Sequence, residues 1–159
     1  MDGSRNNPGK RGHAALRRGR ASVSGQVYLV TFVTRQRERL FSDPVAAHRA
    51  ARAIADKRLW YRSRLLAWVL MPDHWHGLIE LGHMESLSVC VQRLKTNVSK
   101  ALREDGGGLR PIWASGFHDR ALRSDENVLA SARYVVANPL RAGLVESVGC
   151  YPYWDAAWI

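Results

Sequence analysis

Apolar positions along this chain recur in two distinct periods, and the alternation between them lays out its elements. "QVYLVTFV" (26–33) is rich in β-branched and aromatic residues and apolar on both faces, which predicts a central strand. "SDPVAAHRAARAIADKRLW" follows, with Ser42 or Asp43 suited to cap and Pro44 suited to a first turn, so a helix is expected over about 44–60. "RLLAWVLM" (64–71) is a second buried strand. Pro72-Asp73 turns the chain, and "HWHGLIEL" (74–81) returns as its hairpin partner. In "ESLSVCVQRLKTNVSKALR", Leu87, Val91, Leu94, Val98 and Leu102 form one helical stripe; Arg93, Lys100 and Arg103 fall opposite it and Lys95 on its flank. "EDGGGLRP" reads as a loop, without the Lys-Ser/Thr ending of a phosphate loop. "IWASGFHDRALR" (112–123) reads as a strand bent at Gly116. "SDENVLASARYVVANP" reads as a last helix, with Ser124 as cap and Asp125 and Glu126 complementing its dipole; Pro139 ends it near Asn138.

The resulting order, β-α-β-β-α-β-α, predicts an α+β fold of the ferredoxin-like kind. Helices are expected on one face of an antiparallel sheet, with a C-terminal helix added.

Composition narrows this picture. At 159 residues, 46% hydrophobic and 24% charged, the chain suits one soluble domain with its own core. No apolar run approaches the ~20 residues that span a bilayer, and no apolar stretch at the N-terminus suggests a secretory signal. Cys90 and Cys150 are far apart, which argues against a disulfide framework and suits a reducing cytoplasm. The net charge of +10 is unevenly spread. Residues 1–25 carry six basic side chains, Arg17, Arg18 and Arg20 among them, against Asp2 alone, and lack an apolar pattern. We therefore expect a basic, disordered arm (1–25) that meets a polyanion, followed by one domain (26–159).

Candidate chemistry concentrates in two places. On a strand, His74 and His76 would share a face about 6.6 Å apart, at ~3.3 Å rise per residue. Leu78 and Glu80 share that face, while Trp75, Gly77, Ile79 and Leu81 read as core. A metal site and a pair of hydrogen-bonded histidines both fit. On the last helix, Val128, Leu129, Ala132, Val135 and Val136 form the stripe, and Tyr134 lies roughly 160° from its centre. Asn138 follows one turn later on nearly the same face. An ordinary surface tyrosine fits the helix taken alone. Taken together, a tyrosine hydroxyl could attack a phosphodiester that a divalent cation polarises. Imidazole, amide and water ligands suit Mg²⁺ or Mn²⁺. Ligation requires neutral imidazoles, so activity is expected to fall below about pH 6.5.

"MPDHWHGL", "RLK", "IWASGFHDRALR" and "ARYVVANPLRAGLV", in that order, resemble the REP-associated tyrosine transposases, a branch of the single-tyrosine HUH transposases. The resemblance covers about residues 26–154. It implies that His74 and His76 bind the metal, that Asn138 completes the site and that Tyr134 is the nucleophile. The reaction it implies is metal-dependent cleavage and transfer of single-stranded DNA at repetitive palindromic hairpins, through a covalent 5′-phosphotyrosine. It also implies DNA as partner, no membrane, a monomer in preference to a dimer, and a place at the cytoplasmic nucleoid. His118 (with Asp119), Lys95 and Arg123 match positions that could meet DNA, and Trp113, Tyr151 and Trp154 could stack on bases. Two departures stand out: Trp75 replaces a smaller aliphatic, and Trp154-Asp155-Ala156 replaces Trp-Ser-Ser. A silent repeat-DNA regulator and a metal-dependent phosphodiesterase without a covalent step are the alternatives.

Overall fold

The computed structural model describes residues 22–103 and 110–158; Arg17, Arg18 and Arg20 lie outside them. Five strands form one antiparallel sheet: β1 (Val27–Val33), β2 (Arg64–Met71), β3 (His74–Glu80), β4 (His118–Ala121) and β5 (Trp154–Ala156), in the order β4-β1-β3-β2-β5. The first four reproduce the expected ferredoxin-like arrangement. β5 was not expected; three residues too short to show a period extend the outer edge of β2. β2 and β3 pair Met71 with His74 across Pro72-Asp73, as the hairpin reading required.

Helices α1 (Pro44–Ala55) and α2 (Leu87–Arg103) pack on one face of the sheet, where Phe32, Trp75 and Ile79 meet Ile54, Leu94 and Val98. Helix α3 (Val128–Val136) packs on the other, where Ala132, Val135 and Val136 cover Leu78, Val69 and Met71. The two helices of the ferredoxin-like arrangement share one face, as expected, and the added C-terminal helix takes the other, a side that the sequence left open. This also explains the mixed face of β3, since Leu78 is fully buried beneath α3.

Three element boundaries differ from the reading of the sequence. Helix α1 stops at Ala55 because the Asp56 carboxylate accepts from Arg58 N and opens a separate 3-10 turn at Lys57–Trp60. The strand expected over 112–123 is split. Trp113 makes one bridge to Thr34 and turns into the core against Phe32 and Phe41, and Gly116 takes φ +79° before β4 begins. Helix α3 is capped by Asn127, whose Oδ1 accepts from Ala130 N at 3.1 Å, and not by Ser124.

Gly77 accounts for the bulky Trp75. Both positions lie on the face covered by α1 and α2, and the indole lies against the point where a Gly77 Cβ would stand: the Trp75 ring would be 2.5 Å from it and the Ala67 carbonyl 2.9 Å. Gly77→Ala is therefore expected to destabilise the protein by about 1–3 kcal/mol through overpacking. A fall in the urea midpoint at unchanged slope checks this.

Candidate active site

β3 lies in the middle of the sheet and carries His74 and His76 on the α3 face. Register places Thr31 of β1 beside His76, and His118 of β4 beside Thr31, in one row across three strands. Thr31 Oγ1 is hydrogen-bonded to His76 Nδ1. His74 Nδ1 donates to Asp73 Oδ1 at 2.7 Å, and Arg37 Nη1 stands 3.4 Å from Asp73 Oδ2. Each imidazole is thus engaged through Nδ1, which leaves Nε2 as the candidate donor of both. The segment that delivers Arg37 is strained: Gln36 and Arg37 both have positive φ, 55° and 57°. Thr34 fastens it to the hairpin turn through Oγ1 to Asp73 O at 3.0 Å.

Burial would raise the Asp73 pKa, but the hydrogen bond from His74 and the positive charges of His74 and Arg37 hold it below the usual carboxylate range. Burial also pushes His76 down to about 4, assisted by the neighbouring His74 and Arg141 and opposed by the Val30 backbone. His76 therefore stays neutral well below pH 6.5, so its protonation does not set the acid limit expected from an ordinary histidine. Between pH 6.5 and about 4 the unfolded chain binds a proton at His76 that the folded chain refuses. Metal-free protein is expected to lose on the order of 2–3 kcal/mol across that window as the pH falls. Urea titrations at stepped pH check it, and His76→Gln should remove this part of the slope.

The tyrosine reaches the histidines from above. Tyr134 is 55% exposed on α3, and its ring centroid lies 6.4 Å from that of His76 in an edge-to-face arrangement. Pro139 starts a short helix, α4 (Asn138–Arg141), and has no N–H for the Val135 carbonyl. Asn138 Nδ2 donates to that carbonyl instead, at 2.9 Å. This fixes the Asn138 amide with Oδ1 turned outward, toward Arg141 Nη2 at 3.1 Å. The proline that was expected to end the helix thus also orients the candidate ligand.

Among the described residues, no three of His, Cys, Asp and Glu converge as a metal cluster. The donor set present is two imidazoles and one amide oxygen, which fits a divalent cation that fills its remaining positions with water or substrate oxygens. The site lies on an open face. A groove lined by Asp56, Arg58, Arg93 and Lys100 lies elsewhere, beside α1 and α2. An open face suits a polymer better than a small molecule.

The other candidates divide. His118 is exposed, in the same sheet row as His76, and Arg123 is exposed with its Nε 3.5 Å from Asp125. Lys95 is not a surface cation. It is 8% exposed and donates to the carbonyls of Ala114 and Gly116, so it clasps the loop before β4. Trp113 and Tyr151 are buried, and the Tyr151 hydroxyl donates to Leu70 O at 2.7 Å, so neither is free to stack on a base. Trp154 is half-buried in β5, with Nε1 donating to Val148 O at 3.1 Å. The reading of the sequence missed Thr31, Asp73 and Arg141. Asp73 adjoins His74, but register alone brings in Thr31, and the position of Arg141 depends on the α3–α4 break.

The family profile described as "Transposase IS200 like" matches residues 22–137, and the chain belongs to that family. Within it, the chain is similar to REP-associated tyrosine transposases. It is 27% identical over 88 residues to that of Escherichia coli K12, covering 55% of this chain and 50% of the relative. It is 25% identical over 147 residues to a Haemophilus influenzae protein provisionally described in the same terms, covering 82% and 80%. A solved REP-associated tyrosine transposase bound to a REP hairpin shares the fold, with TM-score 0.66 at 24% identity over 85% of this chain and 79% of that one. The class of enzyme read from the sequence, a tyrosine transposase, is the class these relatives occupy.

Proposed function

We propose that this protein cleaves and rejoins single-stranded DNA beside a palindromic hairpin of the repetitive extragenic type, through a 5′-phosphotyrosine on Tyr134. The observation that carries this reading is the convergence of an exposed tyrosine on an imidazole pair whose Nδ1 atoms are already engaged. His74 and His76, through Nε2, and Asn138, through Oδ1, would hold Mg²⁺ or Mn²⁺. Bound there, the ion would supply charge stabilisation to the phosphate and to the departing 3′ oxygen.

The chain's own residues do the rest. Thr31 and Asp73 hold the two imidazoles in place through Nδ1. Helix α3 presents the phenol from the opposite side, so nucleophile and ligands flank one phosphate. The Tyr134 oxygen displaces the 3′ oxygen, leaving a free 3′-OH and a protein-bound 5′ phosphate, and the reverse step reseals a strand. Tyr134 stands over His76 of its own chain, which supports a monomer. Among the described residues no helix is long and apolar enough to cross a membrane. We place the protein at the nucleoid in the cytoplasm, with the basic arm and exposed Arg123 and His118 adding contacts to DNA.

Substrate form gives the test. A palindromic hairpin with a labelled single-stranded flank should be cut, while the same sequence as perfect duplex should not. Equal cutting of both would remove the hairpin from the proposal.

A further inference from the structure

Arg141 makes three contacts at this site. Its guanidinium carbon stands 3.8 Å from the Tyr134 ring centroid. Nη1 donates to the Tyr134 carbonyl at 2.8 Å and Nη2 to Asn138 Oδ1 at 3.1 Å. It is exposed, and among the described residues no carboxylate pairs with it, although Arg58, Arg64, Arg93 and Arg120 all have one. Among the described residues, the acceptors of this cation are the Tyr134 carbonyl and the Asn138 amide oxygen, both neutral.

From this we propose that Arg141 is a further catalytic residue, whose guanidinium moves onto the non-bridging oxygens of the scissile phosphate. The inference rests on the reading of Tyr134 as nucleophile. Attack requires phosphorus about 3–3.5 Å from the phenolic oxygen. A guanidinium stacked on the same ring reaches that position by rotating its own side chain. Charged, bidentate contacts to phosphate are stronger than bonds to neutral carbonyls, so an arriving phosphate displaces the resting partners. The exchange also releases Asn138 Oδ1, so one movement would position the phosphate's counter-charge and free the amide ligand. In the step itself the Tyr134 Oη–P bond forms and the P–O3′ bond breaks. Solvent water takes the phenolic proton as the Oη–P bond forms, and the departing 3′ oxygen takes one proton from solvent water, so the proton count is unchanged. Arg141 donates hydrogen bonds throughout and exchanges no proton.

A phosphate analogue separates this role from a structural one. Arg141→Ala is expected to lower the cleavage rate at saturating DNA by roughly a hundredfold to a thousandfold, as loss of a transition-state donor does. On a substrate whose scissile phosphate is a methylphosphonate, which lacks one charged oxygen, the loss should shrink to about tenfold or less. Arg141→Lys, which keeps the charge without the fork, should recover part of the rate, and added guanidinium should partly rescue Arg141→Ala. An equal loss on both substrates, or no loss on either, overturns the proposal. The comparison reads the phosphate contact whichever atom attacks, so failure of the Tyr134 reading, seen as cleavage by Tyr134→Phe, is scored separately.

Discussion

Tyr134→Phe is expected to fold normally, bind hairpin DNA and form no covalent product. The substitution keeps the ring, its contact with Arg141 and its edge-to-face placement against His76, and removes one exposed hydroxyl. A surface change of this kind shifts stability by roughly 0.5 kcal/mol or less. Loss of a nucleophile should by contrast lower the rate by roughly four orders of magnitude or more. With 5′- and 3′-labelled single strands and Mn²⁺, the wild type should give a denaturant-resistant protein–DNA band carrying the 5′ phosphate, and a fragment ending in 3′-OH. No other described tyrosine is placed to substitute. Tyr28 is buried, with its hydroxyl accepting from Val23 N, Tyr151 is tied to Leu70, and Tyr153 packs edge-on to Tyr151 with its hydroxyl toward Pro44 O. Tyr61 is exposed but lies against Arg62 and Arg93. Wild-type cutting by the Phe variant, or a product with no protein attached, would assign the attack to water and make the protein a phosphodiesterase.

His74→Ala and His76→Ala should each abolish cleavage while hairpin affinity changes little. Two imidazoles are most of the protein's donor set, so losing either leaves an ion on one nitrogen and one amide. The residual rate should be on the order of a hundredth of wild type or below, since loss of a ligand costs at least as much as loss of the partner that orients it. Titration of Mn²⁺ by calorimetry should show the affinity falling in step with the rate. Asn138→Ala should be milder toward the ion, but it removes the side-chain donor to the Val135 carbonyl, so part of its effect will appear as lost stability. Normal cleavage by His74→Ala in either ion would place the metal site elsewhere.

Much of this was legible in the sequence, and the illegible part has a physical pattern. β1, β2 and β3 were readable because long apolar runs bounded by Pro72-Asp73 leave few alternatives. Tyr134 was readable because helical period places it off the apolar stripe. The position of α3 on the far face was not, since an amphipathic stripe states that a helix is covered but not by which side of a sheet. Lys95 misled for a related reason. A lysine on the flank of a stripe looks solvated until a loop from elsewhere in the chain brings it two carbonyls. Thr31 and Arg141 belong to pairings between segments distant in sequence or across a helix break, which no local period encodes.

β3 is the middle strand of five, so its backbone opens only when the sheet does. Helix α3 has nine residues and meets the sheet through a few small side chains. In amide exchange the two should behave as separate units, the histidine strand among the last to exchange and the tyrosine helix among the earlier. A cut DNA end joined to Tyr134 would then ride on the part of the molecule that detaches most readily, while the cation stayed with the part that detaches least. Swapping one strand end for another would need only the loaded helix to lift and settle again.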